Sequence, residues 1–133
     1  MSRVVVDTDV VSFLFKNHSI GAWYEPDLTG KTLLISFMTV AELERWALQS
    51  KWSDARRRWL RVYLGRFVVV PYSRRLCVEW AQVTVAAHER GCRIDCADAW
   101  IAATAVRHKV PLVTHNRGDY VGVPGLKLIC HGR

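Results

Sequence analysis

No stretch of the sequence contains the roughly 18 to 20 apolar residues that a membrane-spanning helix needs, which argues against a membrane protein. The first residues, Met1-Ser2-Arg3, lead into a short apolar run that Asp7 interrupts, so we expect no signal peptide. Internal repeats, linkers and low-complexity segments are also missing. We therefore expect residues 1–133 to form one domain.

The cysteine pattern excludes a disulfide scaffold and a zinc site. None of the four cysteines belongs to a CxxC pair, and the close pair Cys92 and Cys96 lacks a partner set of His or Cys at zinc-binding spacing. We expect free, mostly buried thiols in a protein of the reducing cytoplasm.

The charge of the chain is strongly basic, with 19 Lys and Arg against 12 Asp and Glu and a formal net charge of +7. Such a chain favours a polyanionic partner such as nucleic acid, or an acidic protein segment. Several of the few acids stand where predicted elements meet. Acids at such junctions in a basic protein are candidates for holding a cation against a phosphate.

The order of apolar runs predicts an α/β fold. Short β-branched runs predict buried strands at 4–6, 33–35, 67–70 and 110–114, and residues 126–130 are a candidate fifth strand. Apolar residues at helical spacing lie between them, at 10–16, 20–24, 37–47, 52–64, 73–91 and 96–107. Strands separated by helices form βαβ units, so we expect a parallel central sheet of four or five strands with helices on both faces.

Asp7 follows three consecutive valines, at the predicted carboxyl end of the first strand. Ligand crevices in open α/β sheets lie at the carboxyl ends of the strands, so an acid there is placed for chemistry. The alternative is that Asp7 or Thr8 only caps the following helix.

Glu42 and Asp98 also have ordinary structural explanations. Thr39-x-x-Glu42 has the spacing of a capping box, in which each side chain bonds a free amide of the first helical turn, and we expect Thr39 to be the cap. Asp95 is the expected cap of the helix that begins at Cys96, which puts Asp98 in the first turn, where the helix dipole favours a negative charge. Small residues around Asp98 indicate a helix packed close to the sheet, which would hold this acid near the crevice.

The loop after the fourth strand contributes the last candidates. Asp119 is either a further carboxylate of the site or part of an ordinary turn, and Thr114 could orient a water or a ligand. Acids at four such junctions are an improbable coincidence, and carboxylates a few Å apart cannot all ionise unless cations neutralise them. Oxygen-only ligands select Mg²⁺ or Mn²⁺, which nucleases use to activate water and to stabilise the leaving oxygen.

The sequence resembles the PIN domain ribonucleases, and among them the VapC toxins of bacterial toxin–antitoxin pairs. Four segments in the family's order carry the resemblance, namely Val5-Val6-Asp7-Thr8-Asp9, Thr39-Val40-Ala41-Glu42-Leu43, Asp98-Ala99-Trp100-Ile101-Ala102-Ala103, and Leu112-Val113-Thr114-His115-Asn116 with Asp119-Tyr120. It implies a single PIN-like domain that is a Mg²⁺- or Mn²⁺-dependent endoribonuclease. It also implies a homodimer and a small antitoxin protein that inhibits it, within a larger toxin–antitoxin complex.

The resemblance implies the site residues as well. It gives metal-ligand and catalytic roles to Asp7, Glu42, Asp98 and Asp119, and supporting roles to Thr8, Asp9, Asp95, Thr114 and Asn116. Asn116 competes with Asp119 for the position of the last ligand. Asp9 departs from the Asn or Ser that is commoner in the family, and it is either an additional ligand or a cap of the first helix.

The densest basic group, on the predicted helix 52–64, is the candidate RNA contact. Residues along a helix point about 100° apart, so Arg57 and Arg61 share a face while their neighbours do not, and Arg45 extends this pair. We expect most of the six tryptophans to belong to the core rather than to stack on bases.

Two other functions fit parts of the sequence. Asp7-Thr8-Asp9-Val10-Val11 satisfies the nucleophile motif DxDx[TV] of haloacid-dehalogenase-like phosphatases, with Asp7 as the nucleophile. No downstream lysine and paired acids follow in the order that this class requires, and 133 residues are few for its fold. The non-enzymatic alternative is a PIN-like domain that binds RNA or a partner without cutting.

Overall fold

The computed structural model describes residues 2–132. Five strands within this range form one parallel sheet in the order β3-β2-β1-β4-β5. They are β1 (Arg3–Val6), β2 (Thr32–Ser36), β3 (Val68–Val70), β4 (Leu112–Val113) and β5 (Leu128–Ile129). The candidate fifth strand is therefore present, and it pairs with β4.

Six α-helices lie between the strands in the described range. They are α1 (Thr8–Phe15), α2 (Ser19–Leu28), α3 (Phe37–Gln49), α4 (Asp54–Leu64), α5 (Arg74–Glu89) and α6 (Cys96–His108). A single 3-10 turn, Arg117–Tyr120, follows β4. None of the helices within residues 2–132 is both long and apolar enough to cross a bilayer. The predicted α/β class is confirmed.

Alternation of side chains along β1 divides the core into two layers. Val4 and Val6 pack with residues of α1, α2, α3 and α4, whereas Val5 packs with residues of α5 and α6. Successive side chains of a strand point to opposite faces, so a strand covered on both faces needs apolar residues at every position. This explains the unbroken run of valines before Asp7.

The cap of α3 was predicted wrongly. Ser36 is the N-cap, and its hydroxyl accepts a hydrogen bond of 3.0 Å from the amide of Met38. Because β2 runs into α3 without an intervening loop, the helix begins at Phe37 and Thr39 lies inside it, fully buried. The capping box therefore does not form, and the carboxylate of Glu42 bonds elsewhere.

The expectation that the cysteines are mostly buried was wrong, whereas four of the six tryptophans pack against the core as expected, namely Trp46, Trp52, Trp80 and Trp100. All four cysteines are free, but Cys96 is exposed and the other three are only half-buried. Trp23 and Trp59 are 52% and 54% exposed, so neither belongs to the core. Trp59 is exposed because α4 buries Leu60 and Leu64, and the neighbouring position on a helix points about 100° away from that face.

Candidate functional site: an acidic cavity at the sheet edge

The four acids singled out in the sequence line one cavity of about 400 Å³. Asp7 directly follows β1, Glu42 lies in the helix that follows β2, Asp98 lies in the first turn of α6, and Asp119 lies in the 3-10 turn after β4. In a parallel sheet the carboxyl ends of the strands share one edge. The topology therefore brings together acids that are far apart along the chain.

Asp7 is the most buried of these acids, with 5% of its surface exposed. Its Oδ1 accepts a hydrogen bond of 2.7 Å from the amide of Thr8, so it is also the N-cap of α1. Its Oδ2 accepts bonds of 2.7 Å from the hydroxyl of Thr114 and 2.8 Å from the hydroxyl of Tyr120. Asp7 therefore caps α1 and also lines the acidic cavity.

The electrostatics around Asp7 favour the protonated form. Burial raises the pKa of this carboxyl and the charge of Glu42 raises it further, while the three hydrogen bonds act in the opposite direction. Burial and the charge of Asp7 in turn raise the pKa of Tyr120, so the phenol stays a hydrogen-bond donor. The hydrogen bonds therefore hold the carboxyl group of Asp7 in a fixed position. Burial and the charge of Glu42 disfavour its charged form, and a nearby cation would offset both effects.

Glu42 is oriented by α1 rather than by its own helix. The hydroxyl of Thr8 donates a hydrogen bond of 2.7 Å to Oε1 of Glu42 and shares a bond of 2.9 Å with the hydroxyl of Thr39. This contact fixes one oxygen of Glu42 and leaves Oε2 directed to no hydrogen-bond donor within residues 2–132.

Asp98 is half-buried, and its Oδ1 lies 3.4 Å from the hydroxyl of Tyr120. Burial raises its pKa to about 7, and neighbouring charges contribute in the order Asp7, Asp119, Asp95 and Glu42. Asp119 is exposed at the rim of the cavity, and its carboxylate has no hydrogen-bond partner in the described part of the chain. The cavity thus holds carboxylates that repel one another and retain free oxygens.

Asp9 differs from the other acids because both of its oxygens bond to backbone amides. Oδ1 accepts a hydrogen bond of 2.7 Å from the amide of Val10, and Oδ2 accepts one of 3.1 Å from the amide of His115. Burial and the charge of Asp7 raise its pKa to about 7. Asp9 lines the cavity, yet its hydrogen bonds mainly connect α1 to the loop after β4.

The remaining supporting residues divide into two groups. Thr8 and Asn116 line the cavity, and Thr114 is buried beneath it, bonded to Asp7. Asp95 occupies the N-cap position of α6 but makes no capping hydrogen bond, and it is exposed outside the cavity. It affects the site through its charge on Asp98.

Sequence reasoning gave no role to Tyr120, nor to four residues that line the cavity, namely Ser12, Lys16, Leu43 and Trp46. Lys16 and Trp46 line the cavity together with the acids. Trp46 lies four residues after Glu42 on α3, and positions four apart share a helix face, so periodicity could have identified it. Nothing in the sequence marks the hydroxyl of Tyr120 except its position next to Asp119.

None of the three predicted RNA contacts lines the cavity. Arg61 Nε donates a bond of 3.2 Å to Glu44 Oε2, which offsets its charge. Nε of Arg57 is buried and has no hydrogen-bond partner, and Arg45 is exposed. Their role in RNA binding remains a prediction.

The chemistry of the donor set fits a hard divalent cation. Five carboxylates, the amide of Asn116 and one ammonium group, that of Lys16, line the cavity, so the donors are oxygen. As the side chains stand, no three His, Cys, Asp or Glu within residues 2–132 are arranged to hold a metal ion. Burial, with a further contribution from neighbouring acids, raises the pKa of Asp7 and of Asp98, and a cation would offset both effects.

The fold and the acidic cavity define a PIN domain: the model of that family matches residues 4–120, and the chain belongs to it. A curated relative, the VapC ribonuclease Y4jK of Sinorhizobium fredii, is 31% identical over 138 residues, covering 95% of each chain. Ribonuclease VapC4 of Mycobacterium tuberculosis is 29% identical over 80% of this chain and 83% of its own. Within the PIN family, this chain belongs with the VapC ribonucleases.

Solved structures support the same fold. The structure of VapBC2 from Rickettsia felis, bound to a DNA fragment from its promoter, superposes with a TM-score of 0.85 over 96% of this chain and 98% of that one, at 22% identity. The phosphatase alternative has no support in these matches. In addition, Asp7 is buried and accepts three hydrogen bonds, which is a poor arrangement for a nucleophile.

Proposed function

We propose that this chain is a Mg²⁺- or Mn²⁺-dependent endoribonuclease and the toxin of a toxin–antitoxin pair. The observation that carries the proposal is the cavity in which Asp7, Glu42, Asp98 and Asp119 meet, in a chain that belongs with the VapC ribonucleases. The surplus of positive charge outside this cavity suits RNA, a polyanion.

The four carboxylates would hold the cation. A bound divalent ion would supply the positive charge that activates water and stabilises the leaving oxygen of a phosphodiester. Thr114 and Tyr120 fix Oδ2 of Asp7, and Thr8 fixes Oε1 of Glu42. These bonds keep two of the carboxylates in place before any ligand arrives, which reduces the reorganisation that binding requires.

Protons compete with the cation for this site. The pKa of Asp98 is raised to about 7, so the carboxyl is partly protonated at neutral pH and must release its proton when a cation binds. The positive charge of Lys16, which also lines the cavity, would attract a phosphate group into it.

The proposed partners are an RNA substrate, a small cognate antitoxin and a second copy of this chain, in the cytoplasm. VapBC-5 of Mycobacterium tuberculosis, which contains a chain with the same fold, is a member of the VapBC family of toxin–antitoxin systems, and it supports the antitoxin as a partner. A homodimer within a larger complex would be tested by light scattering of the chain alone and of the chain purified with the protein encoded by the adjacent gene.

Cleavage of end-labelled RNA by the purified protein tests the proposal. We expect cleavage with Mg²⁺ or Mn²⁺ and none with EDTA, and we expect Asp98→Asn to abolish it. Glu89→Gln, which removes an exposed charge at the end of α5, is the control and should cut normally. Hydrolysis by water leaves a 5′-phosphate and a 3′-hydroxyl, whereas attack by the RNA 2′-hydroxyl would leave a cyclic phosphate.

The non-catalytic alternative predicts a different result. A PIN-like domain that only binds RNA would retain RNA on the purified protein and leave it intact with either cation. Metal-dependent cleavage that survives in Asp98→Asn would show instead that a contaminating nuclease, or a different site, is responsible.

A further inference from the structure

A second cavity, of about 230 Å³, adjoins the acidic one. It is lined by Phe15, Lys16, Arg56 and Trp59, from the end of α1 and the first two turns of α4. Lys16 lines both cavities, so they meet at its side chain. In contrast to the acidic cavity, the second one has two cations and two aromatic rings in its walls and no carboxylate.

The two cations are supported by aromatic rings rather than by acids. The guanidinium of Arg56 lies 4.3 Å from the ring centroid of Trp52 and 5.9 Å from that of Phe15. The ammonium of Lys16 lies 5.1 Å from the ring centroid of Trp46. Within residues 2–132 neither forms an ion pair, so both charges are available to an anion.

The other arginines of α4 are less available. Arg61 is paired with Glu44, and Nε of Arg57 is buried. Arg56 is exposed, and the ring of Trp59, which is 54% exposed, lies three residues further along the same helix. Residues three apart are neighbours on a helix surface, so Arg56 and Trp59 form one combined surface of charge and ring.

Cations that alternate with exposed aromatic rings are how proteins bind single-stranded nucleic acid, because the cations follow the phosphates and the rings stack on the bases. We propose that Lys16, Arg56 and Trp59 form a subsite for one nucleotide that flanks the phosphate in the acidic cavity. Its base would stack on Trp59, and its phosphate would lie between Lys16 and Arg56. This inference rests on the proposed ribonuclease function and adds the strand-binding surface that determines substrate placement.

Binding of a single-stranded oligoribonucleotide tests the subsite. The measurement uses Asp98→Asn as the parent, so that RNA is not consumed, and follows the fluorescence anisotropy of a labelled 12-nucleotide RNA against salt. We expect Trp59→Ala to weaken binding about fivefold or more, as loss of one stacked base does. We expect Arg56→Gln to weaken binding and to lower the slope of log K against log salt by about 0.7, the value for one phosphate contact on a single strand.

Each variant has a matched control. Arg58→Gln removes the same charge from the same helix, but it points roughly 200° away from Arg56, and it should keep the parent's slope. Trp23→Ala removes a tryptophan that is equally exposed on α2 and should bind within about twofold of the parent. Trp59→Phe retains a ring and should restore most of the affinity, which excludes misfolding as the cause.

The results separate the subsite from the function it rests on. Unchanged RNA affinity and salt slope in Arg56→Gln and Trp59→Ala, in a protein that cuts RNA, would overturn the subsite and leave the proposed function intact. The expected losses of affinity in a chain whose wild type cuts no RNA would support the subsite and overturn the function. If both variants lose binding of the purified antitoxin but not of RNA, the surface belongs to the protein partner and the proposal is wrong.

Discussion

The hydroxyl of Tyr120 donates a hydrogen bond of 2.8 Å to Oδ2 of Asp7, joining residues 113 positions apart in a contact closed to solvent. The same hydroxyl lies 3.4 Å from Oδ1 of Asp98. It therefore connects two of the three cavity acids whose pKa values burial has raised, and the charge of Asp7 raises the pKa of Asp98 further. The geometry of the carboxylates depends on this neutral phenol as well as on the carboxylates themselves.

Replacing the phenol tests this dependence. Tyr120→Phe preserves the ring and removes the hydroxyl, so we expect the fold to persist and RNA cleavage to fall about tenfold, as for one lost charge-assisted hydrogen bond. Because the donor lowers the pKa of Asp7, its loss raises that pKa further, and the acid side of the pH–rate profile should move to higher pH. If activity falls but the pH–rate profile is unchanged, the role of Tyr120 is purely structural.

Thr8 offers a second test, because its hydroxyl is the donor that fixes Glu42. We expect Thr8→Val, which keeps the shape, to lower cleavage and to weaken Mn²⁺ binding measured by calorimetry. Thr8→Ser keeps the hydroxyl and should retain most of both. Equal behaviour of the Val and Ser variants would mean that Glu42 needs no orientation from α1.

The stability of the metal-free protein should decrease as the pH rises. Folding raises the pKa of Asp9 and of Asp98 from 3.8 to about 7, so between these values the native state binds more protons than the unfolded chain. Stability then falls with increasing pH across that window. We expect the Tm in EDTA to be lower at pH 8 than at pH 5 by roughly 3 to 6 °C, after allowance for solvent screening.

Divalent cations should reverse this loss, since they bind the deprotonated carboxylates. Mg²⁺ or Mn²⁺ should raise the Tm at pH 8 more than at pH 5, whereas NaCl at matched ionic strength should not. A Tm in EDTA that increases steadily from pH 5 to pH 8 would contradict the assignment of the raised pKa values.

Asp98→Asn should make the metal-free protein more stable while it removes activity. At pH 8 the substitution eliminates a charge that the cavity disfavours, for a gain of about 1 kcal/mol once solvent screening is allowed for. The variant should also lose the cation-dependent rise in Tm. Glu89→Gln serves again as the control, and a destabilised Asp98→Asn at pH 8 would show that Asp98 has a stabilising partner in the fold.

The sheet could be predicted because its signals are local and repeated. The short run of three β-branched valines in β1 favours a strand that is buried on both faces, and the helical spacing of apolar residues between strands indicates the crossovers. The position of the acids at one edge then follows from the rule that parallel strands share a direction. The sequence accordingly predicts that Asp7, Glu42, Asp98 and Asp119 meet in one cavity, as they do.

The other features of the structure depend on contacts between distant segments, which no local sequence pattern predicts. Whether Ser36 or Thr39 caps α3 depends on β2 continuing into the helix without a loop, and both residues are good caps. The second cavity exists because the end of α1 lies against the start of α4, so Lys16 and Arg56 meet across 40 residues of chain. Likewise, Trp59 is exposed because α4 buries the face that carries Leu60 and Leu64.

The central place of β1 has a consequence for when the protein becomes active. Val5 pairs with Leu34 on one side and Leu112 on the other. The strand β1, which Asp7 directly follows, therefore has both of its neighbouring strands only after β4 has formed. During synthesis the amino-terminal strand leaves the ribosome first, yet the acidic cavity can assemble only after Tyr120 has emerged. We therefore expect the acidic cavity, and any activity that depends on it, to appear only after most of the chain has been synthesised.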